Sequence, residues 1–316
     1  MYNYGSTSSI ETPEHLGTPK ENPIKYAIPY DELIFTSMLY PCDEALSELC
    51  KRNFYKVSDR GHYRHFLHLN SKRYGGHVNL WWGPRYPNCP RAIIKINPLV
   101  LQYSPNDVLD LLSSIFCDLE DVWLSTYTAT IDLQGYSQTQ ISTAIYRPYL
   151  RNFNDYLYPG ETTYLGSRFG SSQVRVYDKG KEQGLDPITP WTRIERTVHL
   201  AWKDRPTALD FLQGKVPLDP FTSVYVTDVD KLDGRTRIGK SVSKIGVSKS
   251  LKNGSPLSDG EKKRLRDLVK SDDNQLIDLK SIYEQNSAYW YASDALQPLD
   301  SQRITEAIDG QCEAAA

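Results

Sequence analysis

Tyr177 stands between Arg175 and Lys179 in the run Val174-Arg-Val-Tyr-Asp-Lys179. Side chains on a strand alternate faces with a period of two. An extended run therefore puts Arg175, Tyr177 and Lys179 on one side, and Val174, Val176 and Asp178 on the other. A phenol set between cations suits attack on a phosphodiester. The cations hold the phosphate, and they favour phenolate over a phenol whose ordinary pKa is about 10. The run Trp191–His199 alternates in the same way, with Trp191, Arg193, Glu195, Thr197 and His199 on one face. Upstream, Tyr164, Gly166 and Arg168 fall together. One sheet face can thus collect a phenol, a carboxylate and several cations. The plainer alternative is a packing tyrosine flanked by solvated charges.

Transfer of a phosphoryl group to tyrosine needs a nucleophile, charge stabilisation, a proton acceptor and a stabilised 3′ leaving oxygen. A divalent cation supplies charge stabilisation and positioning together. Carboxylate oxygens select magnesium or manganese. The candidate ligands are Asp132 and Glu195. Asp132 closes a run in which Thr126, Thr128, Thr130 and Asp132 share a strand face. Their alternatives are an acid at a strand end facing water for Asp132, and an ion pair with Arg193 or Arg175 for Glu195. Arg168, Arg175, Arg193 and Lys179 are candidate phosphate contacts. Gly166 would allow close backbone approach in its strand. His62, His65 and His68 are spaced by three, so a strand turns His65 away from the other two, and they make no metal pair.

The elements that must position these groups are legible in outline. Asp31–Thr36 reads as a first strand and Asp43–Asn53 as a short amphipathic helix. Tyr63–Asn70, His77–Trp82 and Arg91–Asn97 read as strands joined by short turns, which suggests an antiparallel meander. Ser104-Pro-Asn-Asp107 carries the cap, first-position proline and acid of a helix start, running to about Asp118. Trp123–Gln134 is strand-like. Further strands follow Asn154, then a helical pattern near Arg205–Leu212. Lys231–Lys252 is strongly basic, and Lys240, Lys244 and Lys249 within it are candidate contacts to DNA phosphates. Ser258-Asp-Gly-Glu261 resembles a capping box ahead of Lys262–Lys270. Adjacent Trp81 and Trp82 face opposite sides of a strand, so at most one of them can stack on an unpaired base.

The motifs Thr163-Tyr-Leu-Gly-Ser-Arg168, Val174-Arg-Val-Tyr-Asp-Lys179, Glu182 and Trp191-Thr-Arg-Ile-Glu195 resemble the replication initiation factor family. Its members start rolling-circle replication of plasmids and filamentous phages, or nick conjugative elements. A weaker likeness runs from about Tyr26 to Leu200. The resemblance implies that Tyr177 nicks one DNA strand at an origin, forming a 5′-phosphotyrosyl bond and a free 3′-OH. It supports Asp132 and Glu195 as ligands of Mg2+ or Mn2+. It also implies a horseshoe-like sheet whose concave face holds DNA, with a host helicase and a second copy of the chain as further partners. One departure stands out. The family's Arg-Leu-Asp before its later acid is Thr126-Tyr-Thr128 here, leaving Asp132 alone, and Glu161 or Asp178 are substitutes. A non-catalytic origin-binding protein of a mobile element is the alternative this departure supports.

Length and composition set the frame. The 316 residues suffice for one large domain or two small ones, and the 39% hydrophobic content allows a sizeable core. Tyrosines outnumber phenylalanines 22 to 8, which favours sheets and wet aromatic surfaces. The net charge of −2 argues nothing for nucleic acid, so only local charge can. Cys42, Cys50, Cys89, Cys117 and Cys312 are scattered and odd in number, suggesting a reducing compartment with no disulfide framework or zinc site. No apolar run nears the ~20 residues of a membrane span, and no signal-peptide pattern opens the chain, so the expected location is cytoplasmic. The expected fold is α+β, a curved and largely antiparallel sheet with helices on its outer face, in two related halves. The expected organisation is a disordered arm over 1–25, a nicking domain over 26–215, a basic helical region over 216–296 and a flexible tail over 297–316.

Overall fold

The computed structural model describes residues 25–70, 77–101, 103–148, 162–166, 172–184 and 189–292. The chain opens with β1 (Lys25–Ser37), α1 (Asp43–Arg52), β2 (Phe54–Val57), β3 (Tyr63–Asn70), β4 (His77–Pro84) and β5 (Ala92–Ile96). Two helices follow, α2 (Pro98–Leu101) and α3 (Pro105–Ile115), then β6 (Val122–Gln134), α4 (Gln138–Ala144) and β7 (Ile145–Tyr146). Next come β8 (Thr162–Leu165), β9 (Ser172–Asp178), α5 (Lys179–Glu182), β10 (Trp191–His199), α6 (Ala208–Leu212) and β11 (Tyr225–Thr227). The last elements are α7 (Arg237–Ile245), α8 (Val247–Ser250), α9 (Asp259–Lys270), β12 (Gln275–Ile277) and α10 (Leu279–Ala292).

Among the described residues nine strands form one open sheet in the order β2-β3-β4-β5-β1-β6-β10-β9-β8. Every neighbouring pair is antiparallel. A second, three-stranded sheet runs β12-β11-β7. The fold is α+β, as the strand and helix patterns indicated. The large sheet has a repeated plan. β1 is followed by α1 and then by a meander, β2 to β5, whose last strand returns to pair with β1. β6 is followed by α4 and then by β8 to β10, whose last strand returns to pair with β6. The leading strands β1 and β6 pair with each other at the junction. On this plan β4 in the first half occupies the place of β9 in the second.

The two sheet faces differ in chemistry. Tyr127, Ala129, Ile131 and Leu133 of β6 are buried in the core, together with Leu33, Leu80, Val176 and Ile194 from other strands. Helices cover this face: α3 brings Val108, Leu112 and Ile115, α6 brings Phe211, and α10 brings Tyr283 and Trp290. The start of α3 is the expected capping box, with the Ser104 hydroxyl accepting from the Asp107 N–H and the Asp107 carboxylate accepting from the Ser104 N–H. Residues on both sides of position 215 share one core, where Val174 and Ile194 pack with Phe221, Val226, Ile277 and Leu279. The expected arm, from residue 1 to 24, and the tail over 297–316 lie outside the described residues.

One strand lies outside the expected elements, and one expectation needs correction. β2 was absent from the sequence pattern because all four of its residues are exposed, so no buried alternation marks it. The cysteines are not all unpaired either: Cys42 and Cys117 are bonded across 75 residues, with Cα atoms 6.2 Å apart. The Cys42 N–H, at the head of α1, donates to the Ile115 carbonyl at the end of α3 at 2.9 Å. That contact brings the two cysteines together, and linear spacing carries no trace of it. Among the described residues no helix is long and apolar enough to cross a membrane.

Candidate active site

The sheet face opposite α3, α6 and α10 gathers the chemistry. Antiparallel register sets Tyr26, Asp132, Arg193, Tyr177 and Thr162 in one row across β1, β6, β10, β9 and β8. The adjacent row on the same face carries Thr130, Glu195, Arg175 and Tyr164. Period-two alternation places every one of these residues, because the opposite positions are the valines, isoleucines and leucines of the core. Five predicted site residues, Asp132, Arg175, Tyr177, Arg193 and Glu195, therefore meet in two neighbouring rows.

Their contacts divide the charges into two pairs. Arg193 holds Asp132 through two bonds, Nε to Oδ1 at 2.7 Å and Nη2 to Oδ2 at 2.5 Å. Asp132 is fully buried and Arg193 is 8% exposed. Arg175 donates from Nη2 to Glu195 Oε2 at 2.6 Å, and its guanidinium lies 5.2 Å from the Tyr177 ring centre. The Tyr177 hydroxyl faces the same Glu195 oxygen at 3.4 Å. Among the described residues Arg175 Nε has no hydrogen-bond partner. The cations do not lower the phenol as the sequence pattern suggested. Burial, and after it the Glu195 carboxylate, hold the Tyr177 hydroxyl well above its ordinary value, outweighing Arg193 and Arg175. Tyr177 is thus a protonated phenol with a carboxylate beside it.

β1 contributes a group that strand alternation missed. Its pairing with β6 slips between Ile28 and Glu32, leaving Pro29, Tyr30 and Asp31 as an irregularity. A proline inside a strand marks such a bulge, because it has no N–H to give the ladder. Tyr30 turns into the core, where its ring meets Trp290 at 4.6 Å and Phe211 at 5.0 Å, and its hydroxyl contacts that of Tyr291 at 3.0 Å. Asp31 is thereby displaced toward the charges of the other face. Burial pushes its carboxyl up to about 6, with Glu195 and Glu32 adding to the rise and Arg193 and Lys179 opposing it. Pro29 is the sequence signal that could have found it.

The remaining predicted residues take other places. Lys179 opens α5 and pairs with Glu182 at the margin of the site. Asp178 turns away and caps α5, accepting from the Lys181 N–H at 3.0 Å. Gly166 has φ 99°, a left-handed conformation that favours glycine. Arg168 and Glu161 lie outside the described residues. Lys240 and Lys249 stand on α7 and α8, as does Lys244 on α7, and these helices pack on α4 and each other rather than on the open face. His65 stacks on Trp82 with ring centres 5.1 Å apart, and His68 Nδ1 meets Asn79 Oδ1 at 2.8 Å.

The carboxylates can be weighed as cation ligands. Both Asp132 oxygens are bonded to Arg193, so a cation would have to displace that guanidinium to reach them. Among the described residues no three His, Cys, Asp or Glu side chains converge as a cation cage. Magnesium commonly takes only one or two carboxylates and completes its shell with phosphate oxygens and water. Glu195 lies close enough to Asp31 to raise its carboxyl, so these two acids are neighbours on this face.

No protein-family profile matches the chain, and no curated protein matches it. Among solved structures the chain is similar to the rolling circle replication initiator protein from Geobacillus stearothermophilus. The identity is 11%, the match covers 78% of this chain and 97% of that one, and the TM-score is 0.44. At that distance the likeness assigns no role to any residue here.

Proposed function

We propose that this protein starts replication by nicking one DNA strand at an origin, with Tyr177 as the nucleophile. The observation that carries the reading is the Tyr177 hydroxyl beside the Glu195 carboxylate, with Arg175 bonded to the same oxygen and lying over the ring. The resemblance of the Arg-Val-Tyr-Asp-Lys motif to replication initiation factors supports it.

In this reading the Tyr177 oxygen attacks phosphorus in line with the 3′ oxygen. The P–O3′ bond breaks as the Tyr177–P bond forms, the phenolic proton passes to Glu195 and from it to solvent, and the 3′ oxygen takes up a solvent proton and leaves as a hydroxyl. The free 3′-OH primes synthesis, and the phosphotyrosyl bond keeps the phosphodiester energy for rejoining. Arg175 and Lys179 offset charge on the phosphate oxygens. Glu195 and Asp31 would hold a magnesium or manganese ion, with Asp132 joining only if Arg193 lets it go. Such an ion would supply charge neutralisation at the phosphate.

The test is Tyr177→Phe. Covalent capture of an origin oligonucleotide and relaxation of a supercoiled replicon should both disappear, while DNA affinity stays within about twofold because only one oxygen is lost. Capture by the Phe variant at the parent's rate would remove Tyr177 from the role. DNA binding without capture by the parent protein would instead support the non-catalytic origin-binding reading.

A further inference from the structure

The half of the sheet that lacks Tyr177 carries a groove at the equivalent strand. A cross-strand row on the open face reads Lys56, Phe66, Trp81, Ile93 over β2, β3, β4 and β5. The rings of Phe66 and Trp81 pack at 5.3 Å, tilted by 36°. They floor a cavity of about 650 Å³, walled by the turn that carries Arg60 and His62. Trp82 points the other way and is buried at 8% exposure, so the two adjacent tryptophans divide between core and groove.

The walls are built rather than loose. The Ser58 N–H donates to the Arg64 carbonyl at 2.8 Å, and the Arg85 N–H donates to the His62 carbonyl at 2.9 Å. The Arg85 guanidinium also donates to the Ser58 carbonyl. The Tyr63 hydroxyl donates to the Pro90 carbonyl at 3.1 Å. Lys56 and Arg60 are exposed at the rim, and among the described residues no acid lines the cavity. Asp59 adjoins the rim without lining it.

An aromatic floor under a cationic rim has the complement of a nucleobase with its phosphate. A base within a duplex cannot offer its ring face, so the fitting ligand is unpaired. The groove shares its face with Tyr177, five strand spacings away from β4 to β9. At the usual spacing that is roughly 24 Å, a span that single-stranded DNA crosses in a few nucleotides. We propose that this groove is a stacking subsite for one unpaired base of the strand that Tyr177 nicks, several nucleotides from the scissile phosphate. The proposal rests on the nicking reading for the strand's identity, and on the groove alone for the chemistry of the ligand.

The experiment measures binding of a labelled single-stranded oligonucleotide by anisotropy, in the Tyr177→Phe background so that no chemistry intervenes. Trp81→Ala should weaken binding roughly 5- to 150-fold, the range for one base stacked on an aromatic side chain. Trp81→Phe should restore most of it, and affinity for the matching duplex should not change. An abasic residue moved along the oligonucleotide should cost the parent affinity at one position, and cost the Trp81→Ala variant nothing further there. Lys56→Glu, on the exposed rim, gives a second route that leaves the floor intact and should weaken the same single-stranded binding. Equal single-strand affinity in folded Trp81→Ala and parent would overturn the proposal. So would an equal loss for duplex, or saturation of the groove by a free nucleoside monophosphate at strand-like concentrations. Absence of nicking by the unmodified protein, with the stacking signature present, would sink the Tyr177 reading and leave the subsite standing.

Discussion

A buried charge without its partner is costly, and this sets the first expectations for single residues. Asp132→Asn leaves the Arg193 guanidinium buried with no counter-charge, which should lower stability by about 3–5 kcal/mol in chemical denaturation. Glu195→Gln leaves Arg175, whose side chain is 37% exposed, and should cost under about 1 kcal/mol. If Glu195 takes the Tyr177 proton as proposed, the effect of the substitution should fall on rate instead, by roughly 10²- to 10⁴-fold in single-turnover nicking. A large rate loss in Asp132→Asn at unchanged stability would show that the buried pair is not what Asp132 is for. Asp31 gives a pH signature. Its carboxyl, raised from 3.8 to about 6 in the folded protein, holds a proton there that the unfolded chain has released. Stability must therefore fall as pH rises through that window and stay lower above it, by up to about 3 kcal/mol. Asp31→Asn should flatten this slope and leave the protein more stable than the parent at pH 7; parallel stability curves for the two proteins would refute it. The rows that carry Tyr177 and Glu195 were legible from alternation alone. Asp31 was not, because alternation breaks inside the bulge: the two extra residues leave β1 in phase on either side, while Tyr30 and Asp31 between them exchange faces.

Elements, rather than single contacts, hold that slip in place. Tyr30 is wedged among Phe211, Trp290 and Tyr291, so α10 and α6 brace the bulge from behind the sheet. Trp290→Ala should cost about 3–5 kcal/mol, the usual loss for a buried aromatic. At temperatures where the variant remains folded, nicking should still fall while duplex binding persists, because the bulge loses its brace. Nicking at the parent's rate in that variant would show that β1 holds Asp31 unaided. The helix starts at Ser104 and Ser258 were readable because capping boxes are local. The docking of α10 on β1 was not, since it joins segments 261 positions apart and leaves no periodic mark. β2 escaped for a different reason: an edge strand with no buried face has no alternation to detect.

Across the whole molecule, charge is distributed rather than massed. The open face holds its arginines in pairs, while Lys240, Lys244 and Lys249 stand on helices tied to α4. Replacing these three lysines by alanine should raise the dissociation constant for origin duplex and flatten its salt dependence by roughly one unit per lost contact. Single-turnover nicking at saturating DNA should be unchanged. Parent-like binding at every salt concentration would mean that these lysines serve only solubility. The repeated plan of the sheet was hinted at by the order of strands and helices, yet its pairing could not be read, because the order of strands in space depends on which chain segments return. That same plan puts the first strand at the centre of the molecule and leaves it waiting for the last helix. A ribosome adding about 5–20 residues per second would deliver Tyr291 roughly 13–52 s after Tyr30. Throughout that interval the nascent chain comes to own Tyr177, Arg175 and Glu195 without the brace that sets Asp31 beside them. On the nicking reading, the nascent chain therefore carries its nucleophile before its brace, and competence to cut should follow the emergence of α10 rather than that of Tyr177.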